Sequence, residues 1–261
     1  MLSSKWKPIY VKNSELIRVG KNFDGGYIIL KKFLKETKLL ISFGLSDDWS
    51  FERHFFKYSN CFVEVYDHSV TNSFWIKRFL TDVWKFLIFK KLRPVKIFDI
   101  FKYLDYQIFF SKNKIQHIQK KIGKDSTTSI SLDSILQKRK TNNIFLKIDI
   151  ESSEYLILDQ IINFPKKIIG FTIEFHELNI YKKKVEAFLN RAKKNYRLVH
   201  IHGNNYTGLD RKFIPYTVEM TFARLDFINI KNLKKNNKSY PIKGLDQPCN
   251  KNHPDINLKF K

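Results

Sequence analysis

Two periodicities alternate along the chain. Short, almost continuous apolar runs read as strands buried on both faces, and apolar residues three and four apart read as helix faces. The first clear strand is Leu39-Leu40-Ile41-Ser42-Phe43, closed by Gly44 and followed by a helix over about 49–58. Cys61-Phe62-Val63-Glu64-Val65-Tyr66 is a second strand, ending in Asp67. A third strand is expected within 114–122, and Ser131 to Lys140 reads as a short helix after Thr128-Ser129-Ile130. Residues 144–149, Ile-Phe-Leu-Lys-Ile-Asp, form the next strand, and Tyr155, Leu158, Ile161 and Ile162 then share one helical face. Ile168 to Phe175 is another strand, with Glu174, His176 and Glu177 at its tip. A helix at about 181–194 leads to Leu198-Val199-His200-Ile201-His202, and Tyr216 to Arg224 alternates like a last, antiparallel strand. Strands alternating with helices predict parallel βαβ units, hence an α/β fold. With no internal repeat, residues 1–261 read as one domain.

Two segments stand apart from this alternation. Residues 71–112 are aromatic and basic with helical spacing, interrupted only by Pro94, and read as a helical insertion or cap. Apolar residues occur nearly all round Trp75 to Phe89, which points to burial in a cap or dimer; the alternative is an interfacial helix touching anionic lipid. The tail, 232–261, is rich in Lys, Asn and Pro and is expected to wrap the surface. Every apolar run is broken by lysine or arginine well short of the roughly 18 residues of a transmembrane helix. The N-terminal Met-Leu-Ser-Ser-Lys-Trp-Lys-Pro lacks the apolar core of a signal peptide. Cys61 and Cys249 are the only cysteines, which excludes a disulfide framework and fits a reducing cytoplasm.

The net charge of +23 admits nucleic acid or an anionic membrane as a partner. The excess is mostly lysine accompanied by Asn, Ile, Phe and Tyr, and A/T-rich codons account for that balance without a partner. No arginine-rich tract or aromatic–basic ladder suited to base stacking is present, so no specific nucleic acid is expected.

Chemistry is expected at the strand ends, because ligands of open α/β sheets bind outside the carboxyl ends of the strands. Asp149 and Glu151 stand at such an end; Glu151 and Glu154 also suit the positive end of the following helix. Gly44, with Asp67 about 20 residues on, is the spacing of a nucleotide-type site, where glycine admits the ligand and the acid accepts from ribose hydroxyls. The loop, Phe43-Gly44-Leu45-Ser46-Asp47-Asp48, is not a Gly-x-Gly-x-x-Gly turn. Its two aspartates disfavour a pyrophosphate, and with it a nicotinamide dehydrogenase. A cationic ligand carrying a ribose, such as S-adenosylmethionine, suits it better.

Several segments together resemble the FkbM-type methyltransferases. They are Arg18-Val-Gly20, Asp24-Gly25-Gly26-Tyr27, Ser42-Phe43-Gly44, Ser50-Phe51-Glu52, Tyr66-Asp67-His68, Ser131-Leu132-Asp133, Leu146-Lys147-Ile148-Asp149-Ile150-Glu151, Glu154, His200-Ile201-His202 with Asn204-Asn205, and Leu245-Asp246-x-Pro248. The likeness covers most of the chain outside 71–112 and rests on the order and spacing of the pieces. It implies a Rossmann-like class I methyltransferase domain with a mostly parallel seven-stranded sheet and one antiparallel strand. It also implies S-adenosylmethionine-dependent O-methylation of sugars or other small hydroxyl compounds. Ser152-Ser153 stands where a glycine commonly follows Asp-x-Glu.

Under that resemblance Gly44 and Asp67 hold the cofactor with Asp48 or Glu52 nearby. Asp24 and Tyr27 sit at its edge, unless Asp24-Gly25-Gly26-Tyr27 is simply a tight hairpin. Asp149, Glu151, Glu174, His176 and His202 face the methyl group. In-line transfer needs an aligned acceptor and a base. His176, with a pKa expected near neutrality, is the first candidate, oriented by Glu174 or Asp149, and His202 is the second. Asp149, Glu174 and His176 also form a mixed oxygen/nitrogen set for a divalent cation, magnesium or manganese. The expected acceptor is a sugar or glycan. A nucleic-acid methyltransferase and a non-catalytic, membrane-associated α/β scaffold are the competing readings.

Overall fold

The runs that are apolar on both faces become the centre of a sheet. The computed structural model describes residues 1–89, 97–211, 213–229 and 235–261. A hairpin of β1 (Leu16–Val19) and β2 (Tyr27–Leu30) opens the chain, and Asp24-Gly25-Gly26 lies in its turn. There follow α1 (Lys31–Glu36), β3 (Leu39–Phe43), α2 (Ser50–Ser59) and β4 (Phe62–Tyr66). The insertion supplies α3 (Asn72–Phe89) and α4 (Ile97–Phe110), while Pro94 lies outside the described residues. Next come β5 (Ile115–Ile118), a short parallel pair β6 (Lys121–Ile122) and β7 (Ser129–Ile130), and α5 (Leu132–Gln137), capped by the Ser131 hydroxyl. β8 (Ile144–Ile148), α6 (Leu158–Asn163), β9 (Ile168–Phe175) and α7 (Leu178–Ala192) precede a long hairpin of β10 (Tyr196–Leu209) and β11 (Pro215–Arg224).

The large sheet has seven strands in the order β5-β4-β3-β8-β9-β11-β10. β11 runs antiparallel to both its neighbours and the other pairings are parallel. This is the Rossmann-like α/β sheet, with one antiparallel strand, that the sequence predicts. Strand order reverses between β3 and β8, the place where such sheets open a crevice. Phe43, Ile148 and Ile173 lie level across β3, β8 and β9, so the segments leaving these strands emerge on one rim. No described helix is long and apolar enough to cross a membrane.

The departures have local causes. The helix expected after β8 is delayed by a left-handed turn, Glu151 and Ser152 at φ +48° and +69°, and then breaks at Ile157. Only a single 3-10 turn, Ser153–Leu156, precedes α6. Ser152 thus occupies the left-handed conformation that a glycine would favour. α7 starts at Leu178 rather than 181, and β10 continues past His202 because β11 pairs with it out to Leu209. The described part of the tail lies along β10. There Asp246 takes His200 Nε2 at 3.1 Å, and Asn205 Nδ2 donates to the carbonyls of Asn250 and His253.

Candidate functional site

A cleft of about 590 Å³ opens at the carboxyl ends of β3, β4, β8 and β9. Gly44 forms its floor at φ +84°, and a Cβ there would stand 1.7 Å from the Asp149 carbonyl oxygen. Only glycine satisfies both demands. Asp67 organises the loop after Gly44. Its Oδ2 accepts from the Leu45 and Ser46 amides at 2.8 and 3.0 Å, and its Oδ1 from the Ser69 amide and hydroxyl at 2.7 and 2.6 Å. Burial opposes its ionisation, but these hydrogen bonds outweigh it and hold the carboxyl below its usual range. Four donors thus already occupy the Asp67 carboxylate.

Asp48 pairs with Lys21 at 2.8 Å and accepts from the Ser50 amide at the start of α2. Asp24 joins the lining, with burial pushing its carboxyl up. Asp47, also in the lining, is reached by Arg78 of α3 and Lys102 of α4 at 2.8 and 2.7 Å. The insertion is therefore clamped to the loop that closes the cleft.

Behind the rim lies a buried charge network. Lys147, the one polar residue of β8, donates to the Gly44 carbonyl at 2.7 Å and stands 3.5 Å from Asp149 Oδ2. Burial works against its charge, but Asp149 and Glu52 raise its pKa. The Tyr27 hydroxyl lies 3.0 Å from both Asp149 Oδ2 and Glu174 Oε2. A phenol carries one proton, so satisfying both contacts requires a second one on a carboxyl group. Glu174 is its place: burial first, then Asp149 and Glu219, push its pKa well above the usual range. Protonated Glu174 thus donates to Tyr27, which donates to Asp149, while Glu174 Oε1 accepts from Asn204 Nδ2 at 2.8 Å.

His176 follows β9 and points into this cluster. Its Nε2 lies 3.8, 3.7 and 3.8 Å from oxygens of Asp149, Glu151 and Glu174. Glu154, fully buried, receives its backbone amide at 2.8 Å and its Nδ1 at 3.2 Å. Burial favours the neutral ring, but the Glu154 hydrogen bond and the acids around the ring, Glu154 and Asp149 among them, outweigh it, and the pKa is pushed up to about 9. The near-neutral base expected from the sequence is instead an imidazolium at pH 7.

Three predicted site residues stand elsewhere. Glu52 is fully buried on α2, bonded to the Ser42 hydroxyl below the loop. Tyr27 is buried beneath the cleft, edge-on to Phe51, and offers no stacking face. His202 lies two strands away from β9, its Nδ1 3.0 Å from Glu219 and its Nε2 2.9 Å from Asp255 of the tail. Burial opposes its charge, but bonds with Asp255, Cys249 and Glu219 hold its pKa well above the ordinary value. Conversely, Lys147, Glu154, Asn204 and Glu219 belong to the network, and sequence reasoning does not single them out as site residues. Lys147 is signalled by its place inside an otherwise apolar strand, and Glu154 and Asn204 only by their place among the segments of the resemblance.

The cation set also shifts. Asp149, Glu151 and His176 bring ligand atoms within 4.8 Å of one another, whereas Glu174 is engaged by Asn204 and Tyr27. A second group, His202, Glu219 and Cys249, is buried away from the cleft.

No family model matches the chain, and no curated protein matches it. Among solved structures it is similar to an rRNA methylase from Streptococcus thermophilus, at 9% identity over 74% of this chain and 93% of that one, TM-score 0.40. It is similar to a precorrin-6y C5,15-methyltransferase from Geobacter metallireducens at 9%, covering 74% and 84%, TM-score 0.38. M. capricolum TrmK in complex with its cofactor product S-adenosyl-homocysteine is 12% identical, covering 74% and 64%, TM-score 0.37.

Proposed function

We propose that the chain is an S-adenosylmethionine-dependent O-methyltransferase of the FkbM type, acting on a hydroxyl of a sugar or glycan. The observation that carries this reading is a reversal of charge. In a chain of net charge +23, seven acidic side chains, one of them the protonated Glu174, face four lysines and His176 in the cleft at the strand-order reversal, among the described residues. Such a cleft repels phosphates and attracts a sulfonium with its ammonium. Gly44 admits the ligand, and Asp24, Asp48 and Asp67 supply the negative rim. S-adenosylmethionine, when bound, supplies an electrophilic methyl group. An acceptor hydroxyl that took this methyl would have to give up its proton. Asp149 faces the cleft and takes that proton. His176 and Lys147, both cationic, hold the surrounding carboxylates in place. Glu174 keeps its own proton and fixes Tyr27 against Asp149. A divalent cation would be held by Asp149, Glu151 and His176, in competition with the His176 proton, and would acidify the acceptor hydroxyl. Methylation of RNA is a second reading, favoured by the net charge alone; it requires tight, strongly salt-dependent RNA binding.

Calorimetry with S-adenosylhomocysteine tests the proposal, with one-to-one binding expected in the micromolar range or tighter. Absence of binding by folded protein at high micromolar ligand ends it. Asp149→Asn is expected to keep the fold and the product affinity while methyl transfer to a glycan acceptor falls about 100-fold or more.

A further inference from the structure

We infer that the α3–α4 hairpin is a docking element for an anionic lipid surface. The inward faces of the two helices are committed. Trp75 is buried against Trp49, Tyr103 and Tyr106, and Arg78 and Lys102 bind Asp47 of the cleft loop. The outward faces are apolar and uncovered. On α3, Ile76, Phe79, Leu80, Val83 and Trp84 recur at i, i+3, i+4, i+7 and i+8, with Phe79 49% and Trp84 58% exposed. On α4, Phe101, Leu104 and Ile108 form a second stripe, 50–65% exposed. Soluble surfaces carry single exposed apolar residues, and two such stripes on adjacent helices call for an occupant.

Charge decides which one. The segment 71–112 contains nine Lys or Arg and three Asp, a net +6 within a chain of +23. A symmetric dimer through this face would bring one +6 segment against another. RNA would answer the lysines, yet it leaves aliphatic Ile76, Leu80 and Val83 in water. An anionic bilayer satisfies both features, since its surface potential attracts the net positive segment while Trp84, Phe79 and Leu80 enter the acyl boundary. Through Asp47 the docked hairpin also bears on the loop above Gly44, so the cleft is held at the lipid surface.

Vesicle flotation tests this without methyl donor or acceptor, so its outcome is independent of the proposed methyl transfer. Protein is mixed with phosphatidylcholine vesicles, or with vesicles containing about 30 mol% phosphatidylglycerol, at physiological salt. Partitioning onto the anionic vesicles alone is expected. Of the four tryptophans only Trp84 is exposed, so a blue shift in emission on binding reports its insertion. The double variant Phe79→Asp/Trp84→Asp should lose about tenfold or more of the partitioning at unchanged melting temperature. Leu156→Asp, which alters an exposed leucine outside the hairpin, should bind as wild type. The inference is overturned by equal binding of wild type and the double variant, or by no binding at all. It is equally overturned if the double substitution instead abolishes a dimer in light scattering or an affinity for RNA.

Discussion

Replacing Glu154 by glutamine should lower the pKa of His176 and flatten the alkaline slope of stability. In the wild type His176 titrates at about 9, against about 6.5 in an unfolded chain. A folded-state pKa above the unfolded value means that the contribution is complete below pH 6.5. It is lost as the pH rises through 9. The difference of about 2.5 units corresponds to about 3 kcal/mol, an upper bound because the ring is coupled to its acidic neighbours. Glu154 is the nearest partner, with Nδ1 at 3.2 Å and no competing water-exposed surface, so losing its charge should remove at least about one unit, or 1.4 kcal/mol. The amide retains an oxygen for the His176 backbone N–H, so the fold is kept. The assay is the titration of the His176 ring by NMR together with urea unfolding at about pH 6 and pH 9.5. A wild-type His176 that titrates near 6.5, or a variant with the wild-type pH slope, refutes the reasoning.

Glu174→Gln should change stability by less than about 1 kcal/mol in urea unfolding, because the amide reproduces a protonated carboxyl that donates to Tyr27 and accepts from Asn204; a loss above about 2 kcal/mol would mean that Glu174 is ionised. Lys147→Met should cost about 3 kcal/mol at pH 8 and less at pH 5, where Glu52 can take up a proton; a pH-independent loss would contradict the pairing. Gly44→Ala should lose at least about 2 kcal/mol and the affinity for S-adenosylhomocysteine, since the backbone is left-handed and the methyl meets the Asp149 carbonyl; a stable, ligand-binding variant would show that the loop has room.

How far the sequence is legible depends on where each side chain's partners lie. The strands at 39–43, 144–148 and 168–175 are readable because both of their faces are buried, leaving little but apolar residues. Asp149 and His176 stand out because charge at the end of such a run has no core role. The outer half of β10 is hidden, since Gly203 to Leu209 are polar or exposed and only pairing with β11 holds them in a strand. His202 illustrates a second limit. The pleat sets His200 and His202 on the same face, where the tail brings Asp246 and Asp255, acids about 50 residues distant that no local pattern connects to them. Glu52 is misplaced by sequence reasoning for a similar reason. The face of α2 that it shares with Phe55 and Phe51 turns inward onto Ser42, and a buried glutamate accommodated by a strand hydroxyl leaves no trace in hydrophobic spacing. The raised pKa of His176 likewise depends on Glu154 lying beneath it, a contact set by the left-handed turn at Glu151 and Ser152.

The central claim is that the acids around Gly44 form the seat of a sulfonium donor, and a crystal of the complex with S-adenosylhomocysteine tests it most directly. Ligand density in the cleft, with the sulfur turned toward Asp149 and His176 and the ribose beside Asp67, is the predicted result. Density on another face of the sheet, or an empty cleft in crystals grown at saturating ligand, would contradict it.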